Sequence, residues 1–277
     1  MGGKIPLCLG LAMPDERPQM KQAANSLSAL LPYALPLAVI AVWQLGASSG
    51  WISDRVLPAP LDVIETAVRL TLSGELLVNA GVSAARAFAG LIVGGSIGFA
   101  LGLANGLSPT SERLIDTSLQ MVRNIPNLAL IPLVILWFGI GEEAKLFLVA
   151  LGVMFPIYIN TYLGVRTSDP QLVEMGRIYG MSSLTLFRRV ILPGALPSIF
   201  VGLRSALGIM WLTLIVAETI AASSGLGHMA MEAREFMAID TVVLAIVIYA
   251  LLGKLADAMT RVLERRMLAW HPAYQTV

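Results

Sequence analysis

Ser224 and His228 stand one helical turn apart in a 277-residue chain and are the closest approach to a nucleophile and base for covalent hydrolysis. The rest of that machinery is missing. Ser224 does not stand in a G-x-S-x-G turn, there is no H-E-x-x-H pair to hold zinc, and the other histidine, His271, lies beyond the last apolar stretch. A G-x-x-x-x-G-K-[ST] phosphate loop is absent too, so nucleotide chemistry is not expected on this chain. The single Cys8 excludes an intrachain disulfide and a Cys-rich zinc cluster. What remains are polar groups set in apolar stretches. Glu218 lies beside Thr219 and downstream of Trp211 and Thr213; its bare carboxylate would repel an anion, so a paired structural or gating role is expected of it. Asn124, Asn127, Asn160 and Thr161 are neutral donors, suited either to passing an anion along without trapping it or to hydrogen bonding one helix to another.

The elements that carry these groups follow from composition. Hydrophobic residues make up 56% of the chain and charged residues only 13%, about half the roughly 25% of a soluble domain. That is the composition of a polytopic membrane protein. Lys and Arg total 19 against 18 Asp and Glu, a balance that gives no field for nucleic acid. Six stretches are expected to cross the bilayer: Leu30 to Ala47, Ala84 to Leu107, Pro126 to Ile140, Leu146 to Val165, Ser198 to Ile220 and Ile239 to Ala258. The third is short and broken by Pro126 and Pro132, so it is expected to start deeper, with "SERLIDTSLQMVRN" as a helix docked on the bundle. Such a discontinuous span is tolerated where it is buried in protein or faces a water-filled cavity, or it is an ordinary kink.

Placing the N-terminus inside puts Lys4, Arg17, Lys21, Arg113, Arg123, Arg166, Arg177, Arg188, Arg189, Arg204, Arg261, Arg265 and Arg266 in cytoplasmic segments. Only Arg55, Arg69, Arg86, Lys145 and Arg234 then fall outside, so both termini are expected in the cytosol. Residues 1–26 read as a cytoplasmic tail, 27–74 as the first span with an outer helix, and 262–277 as a C-terminal tail. In the outer connection Ile64, Val68 and Leu72 share a helical face opposite Asp62, Glu65 and Arg69, the pattern of an amphipathic helix packed on the bundle. Arg204 and Lys254 are expected to snorkel to the interface, with Asp257 at helical spacing from Lys254. "SSGLGH" places Gly225 and Gly227 around Leu226, either as a gate at the outer mouth or as a plain turn.

Between the fourth and fifth spans runs "EMGRIYGMSSLTLFRRVILPGALP", Glu174 to Pro197. Asp169 and Pro170 are helix-start residues, and Leu172, Met175 and Tyr179 give a short apolar face. Gly180 suits a left-handed stop. Ser182 or Ser183 can cap a second helix whose face holds Leu184, Phe187 and Val190 or Ile191, and Pro193 and Pro197 are expected to bend the chain back toward the next span. Two ordered helices with Arg177, Arg188 and Arg189 beside apolar faces suit either a protein groove or an anionic lipid surface.

The segment resembles the EAA loop of the permeases of ATP-binding-cassette (ABC) importers, with the pattern Glu-Ala-Ala, three residues, Gly, nine residues, Ile, one residue, Leu-Pro. Glu174, Gly180, Leu192 and Pro193 match at the required offsets; Met175 and Gly176 replace the alanines and Val190 the isoleucine. "LALIPLVILWFGI", "FPIYIN", "MWLTLIVAETI" and "WHPAY" extend the resemblance to the sulfonate, taurine and nitrate branch of that family, most closely to its aliphatic sulfonate members. The resemblance implies an all-α type I importer permease with six transmembrane helices, its core over 75–261 and its coupling loop over 168–197. It implies a homodimer in the bacterial inner membrane, an ATP-binding subunit carrying ATP and Mg²⁺, a periplasmic substrate-binding protein, and no cofactor or metal on this chain. It assigns coupling to Glu174, Arg177, Gly180, Met181, Ser182, Leu192 and Pro193, while the residues read above in the apolar stretches, Asn124, Asn127, Asn160, Thr161, Trp211, Thr213, Glu218 and Leu226, are the candidates for pathway or gate. A secondary transporter would need a polar path but no such loop.

Overall fold

The computed structural model describes residues 34–53 and 56–270; the tail read over 1–26, Cys8, Arg55 and His271 lie outside the described residues. The described residues form helices and turns: α1 (Ala34–Ser48), α2 (Pro60–Leu72), α3 (Glu75–Leu107), α4 (Pro109–Arg123), α5 (Asn127–Phe138), α6 (Glu142–Arg166), α7 (Pro170–Ile178), α8 (Ser183–Ile220), α9 (Leu226–Glu235) and α10 (Ile239–Met267). Helices α3, α6, α8 and α10 are long and apolar enough to cross a bilayer, and α4 with α5 makes a fifth candidate bent by 82°. The described part of the first expected span, α1, is shorter than a crossing helix. It is tied to α2 where Trp43 Nε1 donates to the Pro58 carbonyl and Leu61 N–H to Gln44 Oε1.

α3 and α6 form the closest helix pair because α3 has no side chains along the contact. Gly90, Gly94, Gly98, Gly102 and Gly106 recur every fourth residue, on one helical face. A Cβ on Gly94 would lie 2.0 Å from the Ala150 carbonyl oxygen and one on Gly98 2.3 Å from that of Met154. Small residues at this spacing let backbones approach where lipid supplies no hydrophobic drive. The period-four pattern stands in the sequence, independent of the apolar length that marks the span. α8 packs on the other side of α6, with Gly202 against Asn160 and Gly164 against the Ala195 backbone.

The core runs through Ala87, Val149, Val153, Met210, Leu214, Leu226, Leu244 and Tyr249, contributed by α3, α6, α8, α9 and α10. α2 covers this core with Val63, Thr66, Ala67 and Leu70, whereas Ile64, Val68 and Leu72 are exposed. The amphipathic helix is thus as expected but turned on its axis: Thr66 reaches Asp240 of α10 at 2.5 Å, and that polar anchor sets the face. The SSGLGH stretch, expected as a gate or a plain turn, leads into α9, whose ten residues pack inward through Leu226, Met229 and Ala233. α10 continues through residue 261 to Met267 without a break.

α4 docks on the bundle as its sequence suggested, through two polar rungs. A π-helical stretch, Glu112–Asp116, presents both acids to α6: Tyr162 donates to Glu112 and Tyr158 to Asp116. Asn105 of α3 donates to the Tyr158 hydroxyl at 2.8 Å and accepts from Ser111 at 2.6 Å.

Candidate functional site

The polar segment after α6 folds into a helical hairpin. Asp169 Oδ1 accepts the Gln171 N–H at 2.8 Å and Pro170 opens α7, so the N-terminal signals work as read. Gly180 has φ +72°, the left-handed stop, and Met181 N–H returns to the Gly176 carbonyl at 3.0 Å. Ser182, rather than Ser183, caps the next helix by accepting the Thr185 N–H. Leu172, Met175, Ile178 and Tyr179 are exposed side by side, an apolar face with no partner among the described residues. Gly176 is the contact point of the hairpin: a Cβ there would lie 2.6 Å from Leu186 Cδ1. The glycine in place of the expected alanine therefore lets the second helix close on the first.

Pro193 and Pro197 do not turn the chain back. α8 is one helix from Ser183 to Ile220, and the segment Phe187–Ile191 is π-helical. Pro193 lacks the N–H that the Arg189 carbonyl would take and its ring crowds that carbonyl; widening the preceding turn to π geometry relieves both. The buried residue of the second helix is Leu186, seated against Gly176, while Leu184 is exposed. Glu174 and Arg177 line a groove of about 780 Å³ with Gly106, Val165, Arg166 and Ile191. Of the coupling set, Glu174, Arg177, Gly180, Met181 and Ser182 therefore gather at the hairpin, and Leu192 with Pro193 sits farther along α8.

The model of the family "Binding-protein-dependent transport system inner membrane component" matches residues 94–269. The chain belongs to this family. Over 243 residues the permease is 60% identical to the Escherichia coli protein named "Putative aliphatic sulfonates transport permease protein SsuC", covering 88% of this chain and 92% of that one. It is 44% identical over 241 residues to the protein of the same name from Bacillus subtilis, covering 87% of each. A solved structure described as an amino acid ABC transporter with histidines superposes at TM-score 0.59 with 17% identity, covering 72% of this chain and 97% of that one. The fold is that of a type I ABC importer permease, and the chain is the permease subunit of such an importer.

At the end of the bundle away from the hairpin, the permease buries a charge cluster around Glu218. This carboxylate accepts from Ser83 Oγ at 2.7 and 2.9 Å, Arg86 Nη1 at 2.7 Å, Tyr249 OH at 2.7 Å and Gly227 N–H at 3.0 Å. Arg86 also donates from Nε and Nη2 to Glu142 at 2.5 and 2.6 Å and to Ser224 Oγ at 2.8 Å. Lys145 joins Glu142 at 2.9 Å. The paired role expected of Glu218 fits this geometry, and Arg86 and Lys145, counted on the outer side, are buried at that end of the bundle. A lone arginine among alanines carried the signal, since a charge in such a stretch needs a partner. Ser224 is an acceptor for Arg86, and His228 faces Glu232 at 3.8 Å, so the two do not form a hydrolytic pair.

Leu226, offered as a gate, is wholly buried, and the turn before it is pinned down: Gly225 N–H donates to Asn79 Oδ1 and Leu226 N–H to Ser83 Oγ. Asn160 donates to the Pro156 carbonyl of its own helix, and Thr161 is buried against Gly102. Trp211 packs edge-on against Tyr249 at 6.3 Å. Asn124 is exposed at the end of α4. Asn127 and Thr213 alone of the pathway candidates share a cavity, one bounded by the α4–α5 bend, α6 and α8. The Arg204 side chain pairs with Glu264 and Asp257, and Asp257 bonds Arg261 at 2.8 Å rather than Lys254. Among the described residues no His, Cys, Asp and Glu cluster could hold a metal ion.

Proposed function

We propose that the permease imports aliphatic sulfonates across the bacterial inner membrane as a homodimer. It works with separate ATPase subunits holding ATP and Mg²⁺ and receives its substrate from a periplasmic binding protein. Both termini lie in the cytosol, and the 168–197 segment is the coupling element. The observation that carries the substrate is the 60% identity to the sulfonate permease of Escherichia coli over nearly the whole of both chains.

The mechanism follows from the hairpin. Its exposed Leu172, Met175, Ile178 and Tyr179 enter a groove of the ATPase, and Glu174 and Arg177 fix the register with charge. Closure of the two ATPase subunits draws the paired hairpins together, and the continuous α8 converts that movement into opening at the far end of the bundle. Taurine, nitrate or another small anion is the alternative cargo for the same machinery.

Deleting the gene in its host tests the reading: growth on an alkanesulfonate as sole sulfur source is lost, and the wild-type copy restores it. A tagged permease brings down an untagged ATPase, and Glu174→Arg abolishes uptake. Full growth of the deletion strain on alkanesulfonate, or uptake indifferent to Glu174→Arg and Gly180→Pro, removes the proposal.

A further inference from the structure

The cavity between the α4–α5 bend, α6 and α8 has a volume of about 530 Å³ and one charged side chain in its lining, Arg123. No carboxylate lines it. Thr213 is only 5% exposed, yet its hydroxyl has no hydrogen-bond partner among the described residues, and neither the Asn127 amide nor the Arg123 guanidinium has one. The Thr213 oxygen keeps access to this cavity, so its free donor is available to a ligand or water held there. Gly152 holds the space open. A Cβ at that position would fall 3.0 Å from Thr213 Oγ1 and 3.1 Å from Asn127 Nδ2, so both polar atoms flank the volume that a side chain would fill.

A sulfonate is a fixed anion with three acceptor oxygens and no proton to give, so a site for it needs donors and excludes carboxylates. Thr213, Asn127 and Arg123 are three donor side chains, and one of them is charged. The remaining wall is hydrocarbon: Phe155, Ile159, Leu212 and Val216. Nitrate and similar tail-less anions have nothing to place there.

Resting on the sulfonate reading above, we propose that this cavity is a substrate subsite of the permease itself. The sulfonate head sits at Thr213, Asn127 and Arg123, and the alkyl tail runs along Phe155, Ile159, Leu212 and Val216. Selection is then shared between the binding protein and the membrane subunit. Each buried methylene strengthens holding by about fourfold. A single charge-assisted contact attracts the head without trapping it.

The test uses the whole importer, permease with ATPase and binding protein, in proteoliposomes loaded with ATP, and follows labelled methanesulfonate and hexanesulfonate. Arg123→Gln, Thr213→Val and Gly152→Ala lower uptake of both by about tenfold, the scale of one lost charged or buried hydrogen bond. Ile159→Phe lowers hexanesulfonate uptake several-fold more than methanesulfonate uptake, a change in ratio that misfolding or uncoupling does not produce. Wild-type rates in Arg123→Gln and Thr213→Val, or an unchanged ratio in Ile159→Phe, overturn the subsite and leave the importer reading standing. An Arg123→Gln defect that vanishes in vesicles without anionic lipid assigns that arginine to the bilayer surface and overturns its place in the site. A wild-type complex that carries neither sulfonate but does carry another anion removes the sulfonate reading itself.

Discussion

Arg86 Nη1 on α3 lies 2.7 Å from Glu218 Oε1 on α8, with both side chains withdrawn from solvent. Removing one partner strands the other charge. Arg86→Met is therefore expected to destabilise the purified permease by about 3–5 kcal/mol, and Arg86→Met with Glu218→Leu by less than the two single changes added together. Thermal unfolding of the four proteins in one detergent reads the coupling directly; strict additivity would mean that the pair is independent.

The glycine face of α3 admits no side chain. Gly94→Leu and Gly98→Leu push into the Ala150 and Met154 backbones and are expected to cost about 3 kcal/mol or more, lowering the yield of folded permease. Gly81, with nothing within 4 Å of a Cβ, is the control, and Gly81→Ala is expected to be neutral. Fluorescence-detected gel filtration separates these outcomes.

The hairpin turn depends on the left-handed Gly180. Gly180→Val costs about 1–2 kcal/mol of local strain and misdirects α7, so uptake falls while Tm of the bundle hardly moves. Asp169→Ala removes the N-cap of α7 at about 1 kcal/mol and is expected to give a milder version of the same defect. A large drop in Tm for either variant would show that the hairpin belongs to the core.

α4 is held by hydroxyls. Tyr158→Phe leaves Asp116 with only the long bond from Gln120 Nε2 at 3.3 Å, and Tyr162→Phe leaves Glu112 with only Arg166 facing it at 3.3 Å. Hydrogen exchange over 109–123 is expected to rise in both variants, and more in Tyr158→Phe, which also breaks the link to Asn105. Equal protection in all three proteins would place the docking energy elsewhere.

Much of this arrangement is legible in local chemistry. Asp169, Gly180 and Ser182 act through their own backbone neighbours, so capping rules located the hairpin residue by residue. The path of α8 was not legible in that way. Pro193 reads as a break in isolation, and only the π turn before it, a geometry with no composition of its own, lets the helix continue. The facing of α2 was missed because Thr66 finds Asp240, 174 residues away, and outweighs the apolar stripe. The partners of Arg86 are not legible for a similar reason: Glu142 and Glu218 are distant in sequence. Among the pathway candidates, Asn127 and Thr213 were singled out by residue type, but the glycine that brings them together, Gly152, has no sequence signature.

The unbroken α8 has a mechanical meaning. Its 38 residues span roughly 57 Å at 1.5 Å per residue, and no loop lies between the Gly180 turn and the carboxylate of Glu218. In the coupling role proposed above, a push at Ser183 would arrive at Glu218 as tilt about the contact of Gly202 with Asn160 on α6. The hydrogen bonds that Glu218 makes to α3, α9 and α10 would resist that tilt like a detent, holding the far end shut until the load from the hairpin exceeds what they can bear.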